Sequence, residues 1–229
     1  MKLPVVLINY KTYIQATGKG ALNLTKICEK IIKEFDINII VAAQAVDIFR
    51  LTQETEVPIY AQHIDPIEPG SNTGFILPEA IVEAGANGTL LNHAEHKIKL
   101  FDLETALERL KNLKLETCIC AANPETSGAI STLNPTFVAF ELPSLIGTGI
   151  SISTTEPDLV EKSVNNILKF GDKVIPLCGA GVSTGDDVYA ALKLKTRGVL
   201  LASAFTKAKD PEKILIEIAN AIKKYQNEI

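Results

Sequence analysis

The chain has 229 residues, 46% of them hydrophobic and 22% charged, with a formal net charge of −4. That apolar content is ample for a buried core and excludes intrinsic disorder. The mild negative balance argues against a non-specific nucleic-acid binder, which needs a cationic face to displace counterions. No apolar run approaches the roughly 18 residues of a membrane span. The first apolar run, opened by Pro4 and ended by Asn9, is too brief for a secretory signal, so the sequence reads as a cytoplasmic protein.

In chain order, short β-rich apolar runs occur at Val5–Ile8, Ile39–Ala42, Ile59–Ala61, Gly88–Leu91, Thr117–Ala121, Phe137–Phe140, Val174–Leu177 and Val199–Leu201. Most are continuous rather than alternating, as expected of parallel strands covered on the outside by helices. Helical stripes lie between them. Leu24, Ile27, Cys28, Ile31 and Phe35 share one helix face; so do Leu103, Ala106, Leu107 and Leu110, then Val160, Val164, Ile167 and Leu168. Ile214, Leu215, Ile218, Ala219 and Ile222 close the chain. Thr184 with Asp187, and Asp210 followed by Pro211, mark helix starts, whereas the fifth unit offers only a short, weak helix around Ser127–Leu133. Cys28, Cys118, Cys120 and Cys178 form no C-x-x-C pair and read as buried, reduced thiols.

Strand starts recur about every 28 residues, close to the period of a (β/α)8 barrel of roughly 250 residues. No linker or shift in composition divides residues 1–229, so one barrel domain is expected. An open doubly wound sheet is the alternative. It would need fewer strands and a G-x-G-x-x-G after the first, which is absent.

In such barrels the C-terminal strand ends build the active site. Here those ends carry Asn9 and Lys11, Gln44, Gln62 and His63, Asn92, His93 and Glu95, Asn123, and Glu141. Strands seven and eight end in Gly179-Ala180-Gly181 and Ala202-Ser203, small residues that bare backbone N–H groups and suit a phosphate. Taken singly, each of these residues has a plain structural reading; their common placement points to a site. His93-x-x-His96 lacks the further ligands of a zinc centre, and no metal is expected.

These residues resemble one family. Asn9-Tyr-Lys11 resembles an Asn-x-Lys at the first strand end, and Asn92-His93-Ala-Glu95 an Asn-His-Ser-Glu at the fourth. The run from Glu141 through Pro143 to Gly147-Thr-Gly149 resembles a catalytic glutamate followed by a mobile lid, and Gly70-Ser-Asn-Thr73-Gly74 a protruding third loop. The family is triosephosphate isomerase, and the short length is most similar to its archaeal branch. The resemblance covers nearly the whole chain.

It implies a (β/α)8 TIM barrel and a cofactor-free isomerase of glycolysis and gluconeogenesis acting on triose phosphates by proton transfer. The family itself is a standard illustration of how burial and neighbours tune such groups. Glu141 would be the base and His93 the electrophile, with Lys11 and Asn9 serving the oxyanion and the phosphate. Gly147, Gly181, Ala202 and Ser203 would offer N–H groups to the phosphate. Glu95 would support the site from within. Thr73 would reach a partner's site in a homodimer or homotetramer and brace its Asn9 and Lys11. No membrane or nucleic-acid partner is implied.

Ala94, His96, Leu142 and Ser144 depart from the family pattern. His96, standing where a fixed cation is usual, is expected to be the partner of Glu95. Two rival functions remain at this level. One is another sugar-phosphate barrel, such as an epimerase or lyase; the other is a barrel retained for binding only.

Overall fold

The computed structural model describes residues 2–228. Strands and helices alternate along the chain: β1 Val5–Asn9, α1 Lys19–Phe35, β2 Asn38–Ala43, α2 Ala45–Glu54, β3 Ile59–Ala61, α3 Pro78–Glu83, β4 Gly88–Leu91, α4 Leu100–Asn112 and β5 Glu116–Ala121. They continue with α5 Pro124–Ser131, β6 Phe137–Glu141, α6 Ile152–Thr155, α7 Pro157–Phe170, β7 Ile175–Gly179, α8 Gly185–Lys193, β8 Gly198–Leu201, α9 Ser203–Thr206 and α10 Pro211–Gln226. Each strand runs parallel to its neighbours, and β8 pairs with β1 to close the barrel. The open-sheet alternative is thereby excluded.

Side chains alternate across each strand, and this period of two separates two cores. Val5, Leu7, Ile40, Ala42, Tyr60, Leu90, Cys118, Cys120, Phe137, Ala139, Leu177 and Leu200 pack together inside the barrel. Their neighbours Val6, Ile8, Ile39, Val41, Ile59, Leu91, Ile119, Val138, Phe140 and Val199 pack outward against the helices. The outer layer uses the apolar stripe of each helix: Leu24, Cys28 and Ile31 of α1, Leu103, Ala106 and Leu110 of α4, and Leu215, Ile218 and Ile222 of α10.

Helix starts follow local chemistry. Thr184 and Asp187 form a reciprocal capping box on α8, and Asp210 accepts the N–H of Lys213 with Pro211 in the first turn of α10. The fifth helix begins earlier than its apolar residues suggest. Asn123 Oδ1 accepts the N–H of Thr126 at 2.7 Å and Pro124 starts the turn. Strand β7 runs on to Gly179, so the first small residue of that end belongs to the ladder. All four cysteines are free and buried. Among the described residues no helix is long and apolar enough to cross a membrane.

At the N-terminal end the barrel is plugged by Tyr60, whose hydroxyl donates to Glu116 Oε2 at 2.6 Å. Gly88 lies under this ring. A Cβ there would sit 2.6 Å from Tyr60 Cζ and 2.4 Å from the Glu116 carbonyl oxygen. Gly88→Ala is therefore expected to destabilise the fold by about 1–3 kcal/mol, as overpacking does. For a chain of this length each kcal/mol lowers the thermal midpoint by about 2–4 °C, which calorimetry measures.

Candidate active site

The inward parity of the strands carries polar side chains to the barrel mouth. After Val5 and Leu7 comes Asn9, after Phe137 and Ala139 comes Glu141, and Tyr60 is followed two residues on by Gln62. Lys11 continues the first series but adopts a left-handed conformation, φ 48°, and its N–H donates to Asn9 Oδ1 at 2.9 Å. The Gln62 amide ties this turn down, donating to the Lys11 carbonyl at 2.9 Å and lying 3.3 Å from both Asn9 Oδ1 and the Ala42 carbonyl. The chain so turned brings the Lys11 ammonium within 2.6 Å of Glu95 Oε1.

Strand β4 reaches the mouth differently. Asn92 has φ 58°, which breaks the alternation, and its amide bonds the Cys120 carbonyl and the Ile98 N–H. His93, one residue on, is thereby turned inward and is 6% exposed. The Glu95 backbone N–H donates to His93 Nδ1 at 3.1 Å. A backbone N–H can only donate, so Nδ1 holds a lone pair and the ring proton sits on Nε2. That nitrogen faces Glu141 Oε2 at 3.4 Å. Both atoms are buried and neither makes a hydrogen bond among the described residues.

Glu141 is 5% exposed. Burial pushes its carboxyl above the ordinary glutamate value, offset in part by His93, the Cys120 thiol and Lys11, while Glu95 adds to the rise. The surrounding sulfurs are protonated. Burial holds Cys120 well above the usual thiol value and Cys178 up to about 12, with the Glu141 charge adding to both.

The small-residue ends converge beside this pair. A cleft of about 160 Å³ is lined by Lys11, Glu141, Gly147, Gly181, Ala202 and Ser203, among others. The backbone N–H groups of Gly181 and Ser203 meet no backbone acceptor among the described residues. Gly181 has φ 75°, and a Cβ there would lie 1.8 Å from the Ile150 carbonyl oxygen, so only glycine fits under the end of the segment from Leu142 to Ile150. That segment forms one short 3-10 turn, Pro143–Leu145, and then exposes Gly147 and Gly149.

Two expectations change. Glu95 is partnered by Lys11, not by His96: the lysine offers a full charge at short range, and the His96 ring instead stacks on His63 with centroids 4.1 Å apart. Asn123 and Asn92 work as a helix cap and a turn pin, and so contribute structure where their strand-end position suggested chemistry. Thr73 is exposed on a long loop closed at its base by Asp65, whose Oδ2 accepts the Ile76 N–H at 2.7 Å. Within this chain it is not brought to Asn9 or Lys11. Read from the sequence, Gln62 is only a strand-end candidate and Cys120 only a buried thiol; the bracing role of the first and the place of the second beside Glu141 go unassigned. The inward parity of Gln62 and Cys120 is the signal that locates both.

The family model described as triosephosphate isomerase matches residues 4–222. A protein named triosephosphate isomerase from Methanobacterium bryantii is 48% identical over 219 residues, 96% of this chain and 97% of its own length. Proteins of the same name from Methanobrevibacter smithii and Methanocaldococcus jannaschii are 44% and 46% identical, each covered over 100% of its length and 97% and 95% of this chain.

The raised pKa of Glu141 fixes a stability trend. The folded state holds this proton more tightly than the unfolded chain, so stability is lost as pH rises from the ordinary glutamate value to the raised one. Glu141→Gln, which never ionises, is expected to gain thermal stability over wild type across that window. The two proteins converge at more acidic pH. Thermal unfolding as a function of pH checks both statements.

Proposed function

The chain belongs to the triosephosphate isomerase family, and from that premise we propose that the cleft at the barrel mouth interconverts dihydroxyacetone phosphate and D-glyceraldehyde 3-phosphate through an enediolate. The observation that supports this most is the facing pair of Glu141 Oε2 and His93 Nε2, both buried and otherwise without partners. One is an acceptor with a raised proton affinity and the other a donor, the two groups that enolisation requires.

In this reading the Glu141 carboxylate removes a proton from the carbon beside the carbonyl. The electron pair moves onto the carbonyl oxygen, which takes a hydrogen bond from His93 Nε2–H. Lys11, held by Asn9 and Gln62, stabilises the negative charge that develops there. The hydroxyl proton of the intermediate passes to the oxygen that carried the first negative charge; return of the proton from Glu141 to the neighbouring carbon, with collapse of the other oxygen to a carbonyl, completes the isomerisation. Gly147, Gly181, Ala202 and Ser203 supply backbone N–H groups to the phosphate, and closure of the Leu142–Ile150 segment excludes water, which suppresses loss of phosphate from the enediolate. Glu95 has two tasks: its N–H sets the His93 tautomer and its carboxylate holds the Lys11 ammonium. No cofactor enters these steps.

A single barrel domain spanning 1–229 then performs a step of glycolysis and gluconeogenesis in the cytoplasm. The exposed Thr73 loop suits a homodimer, or a homotetramer built from dimers, in which Thr73 braces Asn9 and Lys11 of the partner. Ile14, Val46, Phe49 and Phe75, all large, apolar and exposed, support an interface on this face.

A coupled assay on glyceraldehyde 3-phosphate tests the reaction, and ribulose 5-phosphate as a control separates it from an epimerase. Glu141→Asp is expected to keep the fold and lose about 100-fold in kcat, because the carboxylate retreats by about 1 Å. Wild-type turnover in that variant excludes Glu141 as the base. Thr73→Arg is expected to give monomers with little activity, read by light scattering and turnover on one sample; a fully active monomer contradicts the assembly.

A further inference from the structure

At the C-terminal root of the lid lies a chain of buried hydroxyls that the mechanism leaves unused. Exposure ends abruptly here: Ile150 is 50% exposed, whereas Ser151 and Ser153 are each 4% exposed. Ser153 Oγ donates to the Asp187 carbonyl at 2.9 Å. With its only proton committed there, Ser153 Oγ accepts from Ser151 Oγ, also at 2.9 Å.

Asp187 continues the connection on the other side. Its Oδ2 accepts the N–H of Ser183 at 3.0 Å and its hydroxyl at 3.1 Å, together with the N–H of Thr184 at 3.0 Å and its hydroxyl at 2.9 Å. Ser183 lies two residues beyond Gly181, in the loop that carries a free N–H into the cleft. A backbone bond from Ile152 N–H to the Ala180 carbonyl, 3.2 Å, runs alongside. The lid root, the first turn of α8 and the strand-seven loop are thus joined through Ser151, Ser153, Asp187 and Ser183.

We propose that Ser153 and Asp187 are positioning residues for the isomerisation: they fix the height of the lid root against the phosphate loop, so that lid closure and the grip on phosphate occur together. The inference rests on the isomerase reading. Its physical basis is the tight approach of the two segments. With the Ile150 carbonyl packed over Gly181, a small displacement of the root either blocks the loop or leaves the lid unseated. Buried hydroxyls hold such a position well, because leaving one unpaired away from water is costly.

The experiment compares wild type, Ser153→Ala and Ser151→Ala. It reads kcat/KM on glyceraldehyde 3-phosphate, the inorganic phosphate released per isomerisation, and the thermal midpoint. Ser153→Ala is expected to lose about tenfold in kcat/KM, part of the roughly 100-fold that a 1 Å misplacement can cost. It should also release several times more phosphate per turnover, since an unseated lid exposes the enediolate. Ser151→Ala, which leaves the Ser153–Asp187 bond in place, should move in the same direction by less and keeps the test decisive if Ser153→Ala folds poorly. Variants that lose thermal stability but partition like wild type overturn the proposal, because capping alone explains that result. A wild-type chain with no isomerase turnover overturns the isomerase reading itself, and this inference with it.

Discussion

Closure of an eight-stranded parallel ladder constrains every other feature of this molecule. Once β8 pairs with β1, alternate side chains must fill a cylinder and the rest must meet helices. The inner series is apolar or small through the middle of the barrel, ends in the Tyr60–Glu116 bond on the N-terminal side, and turns polar at the C-terminal mouth, where Asn9, Gln62 and Glu141 occupy the next inward positions. Functional groups therefore rest on strand ends whose direction is fixed by the ladder. Where parity would point a needed group the wrong way, a left-handed residue corrects it, as Asn92 does for His93.

The same burial shapes the chemistry. Glu141 lies among protonated thiols, and the loss of water outweighs what His93, the Cys120 thiol and Lys11 return, so its carboxyl gains basicity. A weakly solvated carboxylate is a stronger base than one in water. Opposite it, a backbone N–H on His93 Nδ1 commits the ring to presenting its proton through Nε2. Neither property belongs to the residue type alone; both arise from position.

The barrel, the strand ends and most proposed site residues were legible because they obey short-range rules. Continuous β-rich runs announce covered parallel strands; Asn9 and Glu141 end two of these strands, and Lys11 and His93 follow within two residues. Thr184–Asp187 and Asp210–Pro211 were readable as caps because capping is local chemistry. The fifth helix was misplaced because its start is set by the Asn123 side chain rather than by apolar spacing. The Lys11–Glu95 pair joins residues 84 apart in sequence, and Ser153–Asp187 joins residues 34 apart. No periodicity encodes such contacts. They appear only when the barrel has set the distance between neighbouring loops.

The Lys11–Glu95 contact also changes what affinity means at this mouth. The lysine side chain is 10% exposed and already holds an anion from its own chain. An anion that reached it would meet a paired cation rather than a bare one. Measured affinity is then a difference between two ion pairs, and a dianionic ester has an advantage over singly charged solutes that could only match the carboxylate they displace. Glu95 itself is 56% exposed, so water competes for this carboxylate as well. In the proposed reading, an anion engages Lys11 in competition with a carboxylate already in place.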